Sequence, residues 1–443
     1  MKKILLAVLM LGTAGIAPAV ERPMTVRGAR ALGMGDAFTA LADDQNVFFY
    51  NPAGIVQRTG SALTLLDLPI TVGNDVKKII DFISDNEDDL NNFDTLLPAR
   101  QAELINQINR ELVSLRPTFG LGAPNLSYLS GPIGGGFFWG AGLFGQADGR
   151  VGFVYDVITP SLYYDINVDV SPRVIAAKHF EGLPILPGHL GVGATLKYVQ
   201  RGQASDSRVS FLQLDSYDTP PFQRGKGHGI DLGALYQPTS RINVAATWMD
   251  FGGTQIKFDA KAAEDGFDAK PARTEGIPQR LNVGVAWTPA KLGIGPIGLP
   301  TGDRLTLAAD VRDILNEDSK TFLDGGLIAD SAGKHIHLGA EYRWWFLRFR
   351  AGANQGYATA GLGIDIPVLK LDYAFFSDEE GAFAGSLKHS AHILSLALRF
   401  GTGSTENQQR VKGETPPAPE TKTEAAPAPS APPAAETPAP GNP

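Results

Sequence analysis

Alternation of apolar and polar residues constrains the fold of this chain more than any other sequence feature. Residues 189–200 show it most clearly, with Leu190, Val192, Ala194, Leu196 and Tyr198 on one face and Gly191, Gly193, Thr195 and Lys197 on the other. The same period recurs in residues 241–249, 280–288, 304–312, 335–343 and 394–400. Because successive side chains of a β-strand point to opposite faces, the pattern predicts strands of about ten residues with one apolar face.

A membrane barrel explains this alternation better than a soluble β-sandwich does. No apolar run of 18 residues follows residue 19, so the sequence predicts no membrane-spanning helix, and a closed barrel is the other structure that satisfies its backbone in lipid. The apolar faces also carry aromatic residues near strand ends, as a membrane-interface girdle would: Tyr198, Trp248, Trp287 and Tyr342. The last predicted strand ends on an aromatic residue, Phe400, as membrane barrels commonly do. The 51 glycines suit curved, closely packed strands. The predicted fold class is all-β, a transmembrane antiparallel β-barrel of roughly fourteen strands.

The first residues have the pattern of a secretory signal. Lys2 and Lys3 precede an apolar stretch at 4–16, and Ala17-Pro18-Ala19 supplies small residues, so we expect residues 1–19 to be a signal peptide cleaved after Ala19. The expected location is the outer membrane of a Gram-negative cell. The chain has no cysteine, which excludes disulfides and thiolate metal sites, and 47 acidic against 39 basic residues argue against a nucleic-acid partner.

Residues 28–54 carry a recognisable motif directly behind that signal. Its elements are a Gly/Ala-rich lead, an Ala-Asp-Asp and an Asn-Pro-Ala-Gly: Gly28, Arg30, Gly33, Met34, Gly35, Ala37, Asp43, Asp44, Asn51, Pro52, Ala53 and Gly54. The motif resembles the N-terminal signature of the FadL-like outer-membrane barrels, and especially of their PorV-like and TraF-like relatives. The resemblance implies that residues 20–58 fold into the lumen as a hatch.

Six residues are the predicted hatch or gating set: Gly33, Gly35, Asp43, Asp44, Asn51 and Pro52. A carboxylate at Asp43 or Asp44 can accept backbone N–H groups of a tight turn, and Asn51 can form an Asx turn ahead of Pro52. A direct contact with a ligand is the alternative role. Adjacent carboxylates point to opposite sides of an extended chain, so they do not predict an acid–base pair.

The remaining segments complete the predicted domain organisation. The barrel is expected over residues 59–400, interrupted by an acidic helical insert at 73–116 that would lie outside the cell. Within that insert one helical face is apolar: Leu104, Ile105, Ile108, Leu112 and Leu115. Residues 401–443 are rich in Pro, Ala, Thr and Glu and are expected to be a disordered periplasmic tail.

Two functions remain open from the sequence. The resemblance implies passage of hydrophobic small molecules through a hatch-gated lumen; the alternative is a PorV-like component of protein secretion or surface attachment, or a TraF-like envelope protein, with a periplasmic or secreted partner bound through the insert or the tail. Patterns that suggest other chemistry are weak: a G-x-G-x-x-G at 140–145 without a following helix, His335 and His337 on one strand face, and Ser390 near His392. The sequence therefore predicts no enzyme, cofactor, metal site or identified ligand-binding residue.

Overall fold

The computed structural model describes residues 27–113, 115–123, 125–154, 161–183, 186–210, 222–263, 269–294, 297–301, 304–315, 332–380, 385 and 387–401. The predicted signal peptide, residues 20–26 of the predicted hatch and residues 402–443 of the predicted tail lie outside the described residues.

In the part of the chain that the structure describes, fourteen antiparallel strands form one closed sheet. Three of them are each built from two segments in line. The strands are β1 (Ala62–Gly73), β2 (Thr118–Gly122 and Leu126–Leu129), β3 (Phe137–Val154), β4 (Ser161–Leu183), β5 (Leu186–Ser210), β6 (Gln223–Thr239), β7 (Ile242–Met249 and Thr254–Phe258), β8 (Arg273–Ile277 and Arg280–Trp287), β9 (Leu305–Val311), β10 (Ile336–Trp344), β11 (Leu347–Asn354), β12 (Tyr357–Asp365), β13 (Leu369–Glu379) and β14 (Lys388–Gly401). Each strand pairs with the next, and β14 pairs with β1 from Ala62↔Gly401 to Gly73↔Ala391, which closes the barrel. The predicted barrel and strand number are confirmed.

The inner and outer faces of the barrel wall carry polar and apolar side chains, respectively, as the alternation predicted. On β5 the outward Leu196 is 59% exposed, whereas the inward Lys197 and Thr195 are buried. Outward side chains around the wall form an apolar belt that includes Ile70, Leu121, Val174, Val285, Leu338, Leu362 and Leu394. A belt of this kind would be costly in water and favourable in lipid, so the outer face is that of an outer-membrane-type barrel. Among the described residues, none of the helices has the length and apolar character needed to cross a membrane.

The two ends of the barrel differ in their connections. At one end, here called the short-turn end, β1 begins and β14 ends, and connections such as that between Trp344 and Leu347 are tight. The other end, here called the insert end, carries the 44-residue connection from Gly73 to Thr118, and a small hairpin (Lys291–Ile294 and Ile297–Pro300) lies between β8 and β9 on the short-turn side. Short turns at one end and long loops at the other are typical of outer-membrane barrels.

The insert is helical and packs onto the barrel. It contains α2 (Asp75–Asp85), α3 (Glu87–Asn91), a 3₁₀ turn (Phe93–Thr95) and α4 (Pro98–Glu111); α1 (Ala29–Gly33) precedes it in the chain, and a further 3₁₀ turn spans Ala332–His335. Four of the five residues predicted to share the apolar face of the insert are buried, and Ile105 is half-buried. The four buried residues join Ile79 and Phe82 in one apolar cluster with outward-facing residues of the wall: Val151, Phe153, Leu162, Tyr164 and Ala204. The insert therefore covers the outer face of β3, β4 and β5 at the insert end.

The described part of the predicted hatch, residues 27–58, fills the barrel interior, and we keep the name hatch for it. It consists of α1 and two 3₁₀ turns, Gln45–Phe48 and Pro52–Gln57, joined by short bends. Almost all of its residues are buried. Its apolar side chains form a second cluster with inward wall residues such as Leu129, Phe144, Ile175 and Leu235.

Candidate functional site

The inner face of β4 shows how the barrel interior is layered. From the insert end to the short-turn end, its inward residues change from polar to apolar and then to titratable side chains: Asp165, Asn167, Asp169, Ser171 and Arg173; Ile175 and Ala177; His179 and Glu181. Ile175 and Ala177 belong to the apolar cluster with the hatch. On this strand a polar layer thus lies between the insert end of the lumen and the apolar cluster around the hatch.

Gly33 and Gly35 allow the hatch to lie directly on the wall. A Cβ on Gly33 would be 3.1 Å from the Cα of Gly361, and Gly35 has a φ of +65°, which side chains other than that of glycine rarely tolerate. The backbone of Gly35 also bonds to the wall: its N–H donates to Thr359 Oγ1 at 3.0 Å, and its carbonyl lies 3.0 Å from His337 Nδ1. The Gly-Met-Gly part of the motif is thus a contact between two backbones.

Arg30 connects the hatch to the wall through ion pairs. Its guanidinium contacts Asp43 (2.6 Å) and Asp44 (3.2 Å) within the hatch and Glu341 (3.1 Å) on β10. Burial alone would lower the pKa of Arg30, but these carboxylates outweigh it and the pKa is raised. Arg30 therefore stays charged, and both halves of the Ala-Asp-Asp element face it.

The wall side of this contact is itself a network of charges. Glu341 also accepts hydrogen bonds from Arg343 and Arg350, Arg350 continues to Asp372, and Lys370 reaches both Asp372 and Asp44. Burial would raise the pKa of Asp44, but Lys370 and Arg30 hold it well below its usual value. In the described residues, Asp43 and Asp44 are thus members of a buried ion network that links hatch and wall.

A second ionic contact lies beside the first. Asp36 pairs with Arg312 of β9's C-terminal flank and accepts from the Tyr50 hydroxyl, and Arg27 binds Asp378 of β13 in bidentate geometry at 2.7 and 2.9 Å. Burial would raise the pKa of Asp36, but Arg312 and Arg27 hold it at about 2.

Asn51 and Pro52 fix the C-terminal part of the hatch. The Asn51 Oδ1 accepts from the N–H of Ala53 at 3.0 Å, which is the Asx turn expected from the sequence. Its Nδ2 donates to the carbonyls of Thr39 (3.0 Å) and Ala234 (3.2 Å), so one side chain joins two parts of the hatch to β6. Pro52 begins the following 3₁₀ turn.

Several wall residues that hold the hatch were missed in the sequence analysis. Asp310 accepts from the backbone N–H groups of Phe38 and Thr39, both at 2.8 Å. Arg173 donates to the carbonyl of Phe48 at 2.8 Å and lies over the Phe49 ring. Their signal was visible only as polar residues on inward strand positions, which a wet lumen would also produce.

Strand β2 of the wall is interrupted beside the aromatic residues of the hatch. The two segments of β2 pair with residues 70–72 and 62–64 of β1, so residues 65–69 of β1 lie between two paired stretches. Opposite this interruption Phe144 of β3 points inward and packs on Phe48 and Phe49, with ring centroids 5.0 and 4.7 Å apart. An apolar patch of the lumen therefore lies directly behind the broken strand.

The other chemical patterns of the sequence form no further site in the described residues. Residues 140–145 lie within β3, and His392 points outward and stacks on Tyr373. His335 Nδ1 lies 2.8 Å from the carbonyl of Arg312, and His337 faces Gly35, so the two histidines serve backbone contacts.

Comparison with known proteins finds similar solved structures. The chain is similar to the solved structures of the toluene transporter TbuX of Ralstonia pickettii (15% identity, TM-score 0.47, covering 84% of this chain and 98% of that one) and the toluene transporter TodX of Pseudomonas putida (12%, 0.44, 85% and 98%). It is also similar to a Pseudomonas aeruginosa FadL homologue (11%, 0.37, 86% and 98%). No family model and no curated protein matches the chain. At these identities the likeness does not identify a ligand.

Proposed function

We propose that this chain is an outer-membrane channel for hydrophobic small molecules whose lumen is closed by the hatch. The observation that carries the proposal is the hatch itself, a buried segment inside a closed barrel that contacts the wall through ion pairs, hydrogen bonds and an apolar cluster. A barrel that served only as a structural anchor would not require a separately folded segment inside it.

The chemistry of the hatch contacts suits a segment that moves. Buried ion pairs lose almost as much free energy to desolvation as they gain from attraction, so their net stabilisation is small while their geometry is specific. Such ion pairs hold a closed position beside the apolar cluster and can be broken at modest cost. The ion network of Arg30 thus serves as the closing contact, and Gly33 and Gly35 define the position of the closed hatch.

The proposed route leads from the insert end of the barrel to the broken strand. The apolar cluster of insert and outer wall at the insert end, which we place outside the cell, offers a surface for capturing a hydrophobic molecule. The molecule then enters the lumen and passes the polar layer when the hatch shifts. It leaves beside Phe48, Phe49 and Phe144, where β2 is broken and the lumen adjoins the wall. Because the insert packs on the outer face whereas the hatch lies in the lumen, we expect the hatch, and not the insert, to limit the rate.

A reversible cross-link tests whether the hatch must move. The chain has no cysteine, and a Cβ on Gly191 of β5 would lie 2.6 Å from Cγ2 of Val56 in the hatch, so a sulfur in place of the Val56 methyl groups would meet a cysteine at position 191. We expect Val56→Cys with Gly191→Cys to form a disulfide on oxidation, and uptake of a radiolabelled monoaromatic hydrocarbon by cells carrying it to fall to the level of cells without the channel. Reduction should restore uptake, because only the tether has been removed.

Each single-cysteine variant, oxidised in the same way, is the matched control. Uptake that stays unchanged in the oxidised double variant, with the cross-link verified by mass spectrometry, would contradict gating by the hatch. The alternative from the sequence, a component of secretion or surface attachment, remains a prediction. Purification from native membranes with a stoichiometric secreted or periplasmic protein, together with no uptake by the wild type, would favour it.

Asp36 should make the closed state dependent on pH in acid. Because the pKa of Asp36 is depressed, its carboxylate stabilises the docked hatch at pH values above 3.8, the unperturbed pKa, and this contribution disappears as the pH falls from 3.8 to about 2. The loss amounts to about 2 kcal/mol for this group. We expect protease cleavage of the hatch in the intact barrel to rise as the pH falls below about 4. Asp36→Asn, which has no charge to lose, should be cleaved faster at neutral pH and show a weaker acid response.

A further inference from the structure

Three metal-ligand side chains meet on the inner face of the barrel at its short-turn end. His179 and Glu181 are two residues apart on β4 and therefore share a face, and His189 on β5 pairs directly with Glu181 across the ladder. All three lie on the inward side, beyond the residues that contact the hatch. They take no part in the ion network of Arg30.

The distances between their ligand atoms are close to those of a coordination sphere. One ligand atom from each residue lies within 4.8 Å of the others, His179 Nδ1 is 3.8 Å from Glu181 Oε1, and the two imidazole centroids are 5.2 Å apart with planes at 30°. Ligands about 2.1 Å from a tetrahedral ion are separated by about 3.4 Å. The groups must approach by about an ångström, which rotation of Glu181, 70% exposed, and of the exposed His189 permits.

The set of donors indicates the class of metal. Two imidazoles and one carboxylate suit Zn²⁺ and neighbouring divalent transition ions, whereas Ca²⁺ and Mg²⁺ prefer oxygen ligands alone. We propose that His179, Glu181 and His189 form a binding site for one divalent transition-metal ion of the zinc type. Water would complete the coordination, since the rim of the barrel is open there.

A metal ion bound at this position would link two strands next to the hatch. The ion would join β4 to β5 across the turn that connects them. Gly191, the partner of His179 in the ladder, contacts the hatch, because a Cβ there would be 2.6 Å from Val56 Cγ2 and 3.3 Å from the carbonyl of Ala53. A metal bound at the rim therefore fixes the part of the wall on which the second 3₁₀ turn of the hatch rests.

The sequence analysis missed this site because its third ligand comes from across a hairpin. His179 and Glu181 form an H-x-E pattern, but His189 becomes their neighbour only through the register that pairs Glu181 with His189. The histidine pair considered from the sequence, His335 and His337, faces the hatch backbone instead. The proposal is independent of what the channel transports.

Calorimetric titration of ZnCl₂ into the full-length protein in detergent, purified without a histidine tag, tests the proposal. We expect one Zn²⁺ per chain, an affinity at least about a hundredfold weaker in His179→Asn and His189→Asn, and a smaller loss in Glu181→Gln. Titration with Co²⁺ should give the visible absorption of a four-coordinate nitrogen–oxygen site in the wild type, and not in His179→Asn or His189→Asn. These side chains are at an exposed rim, so the variants should form the same barrel, which far-UV circular dichroism verifies.

His228→Asn is the matched control, because it removes an exposed imidazole from the outer face of β6. It should bind Zn²⁺ and Co²⁺ as the wild type does. The proposal is overturned if the wild type binds no Zn²⁺ at stoichiometric level, or if His179→Asn and His189→Asn bind it with unchanged affinity. Equal weakening in His228→Asn would also overturn it, because the ion would then be held elsewhere.

Discussion

Arg30→Met is expected to convert the closed barrel into a conducting pore. Arg30 is the cation between Asp43, Asp44 and Glu341, and its removal leaves these carboxylates buried with fewer countercharges. Removing one partner of a buried ion pair costs about 3–5 kcal/mol. Because the barrel strands pair independently of Arg30, we expect this loss to appear as undocking of the hatch. The open fraction should rise by at least about a hundredfold, since 1.4 kcal/mol is a factor of ten.

Planar-bilayer recording of single channels measures this directly, and protease cleavage within residues 27–58 reports the same event in detergent. Arg100→Met is the matched control: Arg100 pairs with Asp89 on the insert, is 43% exposed, and should change conductance little because exposed pairs contribute below about 1 kcal/mol. Arg30→Lys should lie between wild type and Arg30→Met, since an ammonium cannot bind both sides as the planar guanidinium does. A closed, uncleaved Arg30→Met protein would show that the ion network does not hold the hatch.

The strand pattern was predictable because it depends on one local rule. A wall with lipid outside and polar groups inside requires alternation at every strand, and residues such as Leu196 and Lys197 carry that information themselves. The lengths were less predictable: β4 and β5 span 23 and 25 residues, well beyond the ten expected for crossing a membrane. Their extra length packs against the insert, a tertiary contact that a local pattern does not contain.

The partners of the hatch could not be predicted from the same pattern. Arg30 and Glu341 are 311 residues apart, and other inward acidic residues, such as Asp231 and Asp310, satisfy the alternation equally well. The choice of the acidic wall residue that contacts Arg30 depends on the closure of the barrel and on the position of the hatch within it. The motif did contain the hatch side of these contacts, since Arg30, Asp43 and Asp44 belong to it. Sequence thus indicated one half of the site, and the register of fourteen strands determines the other.

The position of the hatch should depend most sharply on the absence of a side chain at Gly35. A Cβ there would lie 2.2 Å from the carbonyl oxygen of Leu338 and 2.6 Å from that of Ala353, and the φ of +65° is unfavourable for alanine. Neither carbonyl can retreat, because β10 and β11 pair with each other at these residues and with their outer neighbours. The hatch must therefore move away from the wall in Gly35→Ala.

We expect this single methyl group to weaken docking by about 2–5 kcal/mol, the sum of overpacking and of the left-handed conformation. The variant should show channel openings and rapid cleavage of the hatch, while the barrel still migrates as a folded species in unheated electrophoresis. Gly134→Ala adds the same methyl group in the turn between β2 and β3, where nothing lies within 4 Å, and should behave as the wild type. Equal behaviour of the two variants would contradict a hatch held by backbone contact. Gly35→Ala alone becoming leaky would show that the closed state requires glycine there, because two backbones meet with no space between them.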